Sequence, residues 1–358
     1  MGILKNCLCL KRIIFFYCII TADCFAEVSE DPVSLSYGSG EMQAMGNMPS
    51  IALGHPVPKN LSPSVTSIIT SKDIENIGAR RLTDVIEYLP GIHVGSVRNG
   101  LNVIGFRGIS SEANSQVLVL VNGVPLRNNL LGGKPFVWNM PVKNISHIEV
   151  IRGSGSMLYG GDAMTGVINI ILKTGKQLKG GDIGGFFGNY DTYEGWAEYG
   201  NKQGDWEYSL SMQGGTTDGF KGKLNADIQT ALDRQFGTNV SKAPGFTNNG
   251  RDDLDFRFDA AYKDWARLRA GYQLFNRVQA GEGALALDDG TGYNDSHVIN
   301  VDLKLNGEIT NDLTDDVTFY YLGQQQKNQG NVLPPGTFGG LYRWVLSKSL
   351  MPSSTRSG

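Results

Sequence analysis

The stretch whose residue types and spacing come nearest to a recognisable chemistry is "IEVIRGSGSMLYGGDAMTGVINI", Ile148 to Ile170. An apolar run ends in Gly153-Ser154-Gly155 and a second apolar run follows, the outline of a loop whose backbone N–H groups cradle a phosphate. The spacing fails. Leu158 stands where a dinucleotide fingerprint needs its third glycine to pack helix against strand. Lys134 follows Gly133 but precedes Pro135 instead of the Ser or Thr of a P-loop, and the required upstream glycine is missing. The four histidines, His55, His93, His147 and His297, lie at spacings that match no metal motif. No Ser/His/Asp set or carboxylate pair stands out. The chain reads as a protein that is not an enzyme, with no cofactor and no metal site.

Cysteine chemistry is excluded by position. Cys7, Cys9, Cys18 and Cys24 all fall within residues 1–26, where Lys5, Lys11 and Arg12 flank the apolar run "IIFFYCIITA" and Ala26 offers a small residue for cleavage. That run is shorter than the roughly 20 apolar residues that cross a bilayer as a helix, so it reads as a cleaved signal peptide. The exported chain would carry no thiols, which suits a bacterial envelope. It would keep 29 basic and 34 acidic residues, a net charge of −5 against −3 for the whole chain, which argues against nucleic acid as a partner.

The elements that must position any function fall into three parts. Residues 27–60 are broken by Pro32, Pro49, Pro56 and Pro58 and read as an extended arm. A compact α+β region follows. A strand is expected over Val65 to Thr70, with Ser71 capping a helix from Lys72 to about Gly78. A second helix places Leu82, Val85, Ile86 and Leu89 on one face before Pro90-Gly91 stops it. Short strands are expected at Ile92 to Val97, Asn102 to Arg107, Val117 to Val121 and Ile148 to Arg152. Asn122-Gly123 suits a type I′ hairpin turn, and Pro141 suits the first position of a short helical turn.

From about residue 182 the period becomes two. Trp206, Tyr208, Leu210 and Met212 alternate with Glu207, Ser209, Ser211 and Gln213, and the same pattern returns over Leu254 to Tyr262 and Ile299 to Leu305. Strands near Gly184 to Tyr199, Trp265 to Asn276 and Asp316 to Gln324 agree with it. A soluble sandwich also alternates, but its strands average about 5–6 residues. Runs of roughly 10 fit strands that cross a bilayer at a tilt.

Four segments carry a family resemblance: "SVTSIITSKDIENIGARRLTDVIEYLPGIHV", "VIGFRGI", "VLVLVNGVPL" and "IEVIRGSGSMLYGGDAMTGVINIILKTG". In this order they resemble the plug domain of TonB-dependent outer-membrane receptors. Asn122, Ser154, Thr165 and Leu172 depart from residues common in the family, without removing a charge from the two arginine motifs. The expected fold is an α+β plug domain followed by antiparallel transmembrane β-barrel strands forming an incomplete barrel. Residues 1–26 are then the signal peptide, 27–60 the N-terminal arm, 61–177 the plug, and 178–358 the first part of a barrel that numbers about 22 strands in the family.

The resemblance implies active uptake of a scarce extracellular ligand, with a ferric siderophore or other iron complex as the expected cargo and cobalamin, haem and oligosaccharides as alternatives. It implies TonB as partner, contacting an N-terminal segment by strand addition, with Asp31, Val33 and Leu35 as candidates; Pro32 weakens that segment by removing a backbone donor. Arg107 and Arg152 match plug arginines that pair with carboxylates on the barrel wall. Arg98, Asn99, Glu112, Asn114, Asn129 and Leu130 match the ligand-facing apical loops. Outer-membrane lipid surrounds such a barrel. Only about 180 residues follow the plug, enough for seven or eight strands, and "WVLSKSLMPSSTRSG" lacks the alternation of a closing strand. A truncated chain that binds without transporting is therefore the alternative reading.

Overall fold

The computed structural model describes residues 65–96, 102–111, 114–126, 137–247, 249–278, 293–310, 313–329, 343–344 and 349–357. Residues 1–64, which include the expected signal peptide and arm, and several shorter segments lie outside these residues.

The α+β module is built on a five-stranded sheet of order β1-β6-β7-β4-β5, formed by β1 (Thr66–Thr70), β4 (Val117–Val121), β5 (Val124–Pro125), β6 (Ile145–Arg152) and β7 (Gly166–Leu172). β4 and β7 run parallel and the remaining pairs are antiparallel. β4 is buried along its whole length, as expected of an apolar run with both faces covered. A separate hairpin pairs β2 (Ile92–Ser96) with β3 (Asn102–Phe106).

Two helices cover one face. α1 (Ser71–Ile77) is capped by Thr70, whose hydroxyl accepts from the Asp73 amide while Asp73 accepts from Thr70 in return, so the cap sits one residue earlier than Ser71. It ends at Gly78, whose φ of 70° supplies the left-handed C-cap. α2 (Leu82–Glu87) buries Leu82, Val85 and Ile86 against Trp138, Ile148 and Ile168. Burying each such aliphatic side chain contributes about 1.5–3 kcal/mol. The helical turn expected at Pro141 instead precedes it, as a 3-10 turn over Val137–Asn139. Pro141 makes a bridge to Arg81.

The Asn122-Gly123 turn has both residues at positive φ, 50° and 82°. Asn122 Oδ1 accepts from the Leu172 amide, and Asn169 Oδ1 accepts from the Gly123 amide, so the hairpin is clamped onto β7.

Most of the described residues that follow form one large antiparallel sheet. Its long strands are β8 (Gly180–Gly188), β9 (Thr192–Gln203), β10 (Trp206–Thr217), β13 (Arg251–Tyr262), β14 (Ala266–Val278), β15 (Tyr293–Thr310) and β16 (Leu313–Gln329). The alternating segment near Gly184 to Tyr199 is thus two strands, β8 and β9, joined by a tight turn. The paired strands β11 (Lys223–Leu224) and β12 (Gly245–Phe246) stand on the excursion between β10 and β13, with a helix (Ile228–Phe236) between them. The C-terminal segment, expected to lack the alternation of a closing strand, is extended. β17 (Arg343–Trp344) and β18 (Ser349–Ser357) both pair with β16.

The sheet is inverted relative to a soluble sandwich. Along β10, Ser209, Ser211 and Gln213 are 5%, 5% and 8% exposed, whereas Leu210 and Met212 are 46% and 39% exposed. Glu198, Asp253, Asp255, Arg257 and Asp302 share the covered face, and Tyr199, Leu268, Ile299 and Phe319 the open one. Pairing along and between strands meets several of the covered charges: Arg257 donates to Asp255 on its own strand and to Asn300 on β15, and Arg269 donates to Asp302. A soluble protein hides its apolar face. This sheet hides its polar one and presents apolar side chains outward, the arrangement of a wall facing hydrocarbon.

Candidate functional site

The loop that first suggested a phosphate cradle spends its donors on itself. Gly155 N donates to Ala163 O, Tyr159 N to Gly155 O, Gly160 N to Ser156 O and Ala163 N to Gly160 O. A Cβ on Gly155 would lie 2.5 Å from a Val167 methyl, so its glycine serves close packing between loop and β7. Tyr159 closes the loop over the sheet. Burial, with the Glu149 carboxylate second, pushes its hydroxyl above the usual tyrosine range and keeps it neutral.

The charged chemistry lies where the module meets the inverted sheet. Arg81 is fixed first by its backbone: its amide, with that of Arg80, donates to Asp84 Oδ2 at the start of α2, and Leu82 N donates to Met140 O. Its guanidinium then reaches the sheet. Nη2 donates to Glu194 Oε1 on β9 at 2.9 Å and to Asp253 Oδ1 on β13 at 2.8 Å, and all three side chains are at most 6% exposed. Arg80 and Arg251 stand at the margin of this pair, 3.6 and 3.9 Å from Glu194.

A second anchor is Lys173, whose Nζ donates to Glu198 Oε1 at 2.8 Å beyond the end of β7. Lys143 makes a third, 3.6 Å from Asp182 and 4.8 Å above the Trp196 ring. A short helix (Gly175–Leu178) leads into β8 and lies directly on the sheet. Lys176 N donates to Glu207 Oε1, and a Cβ on Gly175 would run into the carbonyl oxygens of Tyr208 and Asn201. No sequence signal points to Arg80 or Arg81 beyond their charge, because their partners are 113 and 172 residues away from Arg81.

The expected plug arginines come together at one corner of the module. Arg107, exposed and at a φ of 50°, donates its amide to Gly91 O, and Arg152 donates Nη1 to Pro90 O. Among the described residues neither forms an ion pair with the sheet. Asn114, expected at a ligand-facing surface, is 1% exposed: its Oδ1 accepts from Ile104 N and its Nδ2 donates to Asn102 O, so its amide holds β3 in place. Arg98, Asn99, Glu112, Asn129 and Leu130 lie outside the described residues, as do Asp31, Val33 and Leu35. No cluster of three or more His, Cys, Asp or Glu able to hold a metal occurs among the described residues.

Residues 58–167 match the family model of the TonB-dependent Receptor Plug Domain. The module is a TonB-dependent receptor plug. The inverted antiparallel sheet that follows it is an unclosed wall, and Arg81, Lys143 and Lys173 tie plug to wall.

Among curated proteins, the chain is 31% identical over 231 residues to the vitamin B12 transporter BtuB of Vibrio cholerae, covering 64% of this chain and 34% of that protein. It is 39% identical over 117 residues to BtuB of Vibrio vulnificus, 32% of this chain and 18% of that one. The chain thus spans about a third or less of the length of these relatives. Similar folds occur in the ferric yersiniabactin receptor FyuA of Yersinia pestis, with a TM-score of 0.54 at 18% identity over 74% of this chain and 42% of that one. The FrpB iron transporter of Neisseria meningitidis gives 0.56 at 15% over 74% and 41%. At these identities the structures share architecture alone.

Proposed function

We propose that this chain supplies the plug and first wall strands of a bacterial outer-membrane receptor for TonB-dependent active uptake, exported by the cleaved signal peptide of residues 1–26. The observation that carries the reading is the inverted sheet: a wall with an apolar outer face and a charged inner face paired to a plug has a use only where lipid lies outside and a blocked lumen inside. Its connections are asymmetric. Residues 204–205 and 263–265 are tight turns at one end, while the turn of residues 189–191 and the long excursion between β10 and β13 stand at the other. In such barrels the short turns face the periplasm and the long loops the exterior.

Ligand binds at the long-loop end, and TonB engages the arm, with Asp31, Val33 and Leu35 as the strand-addition segment. Arg107 and Arg152 then serve as plug-side partners for further wall carboxylates. The cargo is a ferric siderophore or another iron complex. Cobalamin is the second reading, favoured by the 31% identity to vitamin B12 transporters.

The test is uptake in a strain stripped of its own receptors for both cargoes. The receptor built on this chain is expected to accumulate labelled ferric siderophore or labelled cobalamin only when TonB is present. Accumulation that is indifferent to TonB refutes the reading, and binding without accumulation favours a non-transporting module.

A further inference from the structure

At the long-loop end a cavity of about 500 Å³ opens between plug and wall, within the range that holds small organic ligands. Arg80 and Asn102 line its plug side, and Phe186, Tyr190, Arg251 and Phe275 its wall side. Among the described residues, none that lines it is acidic. Two carboxylates stand behind it, Glu194 and Asp253, but their short bonds go to Arg81, which does not line the cavity. Arg80 and Arg251 keep only contacts of 3.6 to 4.0 Å with those carboxylates. Among the described residues, three guanidiniums against two carboxylates leave one positive charge in excess, and geometry puts it on the cavity side. Arg80 also lies 4.7 Å over the Phe186 ring and is 42% exposed, available to a ligand. Tyr190 packs edge-on against Phe220, giving the opposite rim an aromatic wall.

We propose that this cavity is a subsite for a planar anionic group, an acidic aromatic ring, whose charge is held by Arg80 and Arg251 and whose face is packed by Phe186 and Tyr190. Guanidinium forks match carboxylate geometry and also stack on aromatic faces. An anion here draws Arg80 and Arg251 off Glu194, and neutralises the two cations that repel Arg81. Occupancy thereby tightens the Arg81 anchor between plug and wall. The assignment deepens the proposed function, because it takes the long-loop end as the ligand side.

The test uses the full chain in detergent and ligand-observed NMR with three probes: benzoate, its neutral isostere benzamide, and inorganic phosphate. Benzoate is expected to bind, with benzamide and phosphate each weaker. R80Q and R251Q are each expected to weaken benzoate by about tenfold or more, the worth of one charge-assisted hydrogen bond, with R80K retaining part of the affinity. On the unsubstituted protein, added salt should weaken benzoate but not benzamide, an arm that needs no variant to fold. Absence of benzoate binding, equal binding of benzamide, or salt-independent binding overturns the proposal. Failure of uptake with this binding pattern intact would sink the receptor reading and leave the subsite standing.

Discussion

Arg81→Met removes the charge that joins plug to wall while keeping the unbranched stem. Glu194 and Asp253, with side chains at most 6% exposed, are then left without their closest cation. Breaking a buried pair in this way costs about 3–5 kcal/mol, because the surviving charge remains desolvated. Two features place the cost near the lower figure. Arg80 and Arg251 stand within 4.0 Å of the same carboxylates and can move toward them. Arg81 Nη1 and Asp253 Oδ2 are buried without hydrogen-bond partners among the described residues, so the native cluster is not fully satisfied to begin with. A loss of about 3 kcal/mol corresponds to roughly a hundredfold faster hydrogen exchange for amides that open when the plug releases its wall. The assay is exchange mass spectrometry on peptides covering α2 and β9. Adding E194Q and D253N should restore most of the protection, since neutral groups of the same shape carry no uncompensated charge. If R81M leaves exchange in α2 and β9 unchanged, the anchor is a surface-like pair of little worth and the reasoning fails.

Leu210→Arg places a charge in the middle of the outer face and should cost about 2–4 kcal/mol in a bilayer, read as lost membrane integration; a soluble sheet would tolerate it at an exposed position. Gly166→Ala brings a Cβ to 2.5 Å from the Phe106 ring and should destabilise the plug by about 1–3 kcal/mol through overpacking, measured as a lowered plug unfolding temperature. On the excursion between β10 and β13, burial raises the Asp233 pKa, but bonds from Thr238, Ser241, Val240 and Gln229 to its carboxylate outweigh it and hold the value below the usual range. The order Asp233 contributes is complete above the ordinary aspartate pKa of about 3.9 and is lost only as pH falls through the depressed folded value. Protease nicking of residues 218–250 should therefore stay slow down to about pH 4 and accelerate below it, and D233N should nick readily at neutral pH.

Much of the plug was legible because its signals are local. The apolar face of α2, the positive-φ turn at Asn122-Gly123 and the run Val117 to Val121 each follow from a few adjacent residues, and all three appear as expected. The errors are local too. Thr70 displaced Ser71 as cap because its hydroxyl and the Asp73 carboxylate satisfy each other's amides. Ser349–Ser357 lacks alternation yet forms a strand, because the paired backbone of β16 dictates its conformation more strongly than its side chains do.

The sequence by itself determined that the second half has two chemically distinct faces repeating every two residues, and that the motifs around Arg107 and Arg152 are those of a plug. Alternation alone reads the same whether Leu210 or Ser211 is covered; strand length, with charges on one face and aromatics on the other, pointed to a wet inner face. The tertiary structure fixes that face by covering Ser211, Glu198 and Asp253 and leaving Leu210 exposed. It also chose Arg81 as the buried anchor and Arg80 as the cavity's charge, two adjacent residues of one type. Their difference arises from partners on β9 and β13, more than a hundred residues away, which pairing in space alone brings within reach.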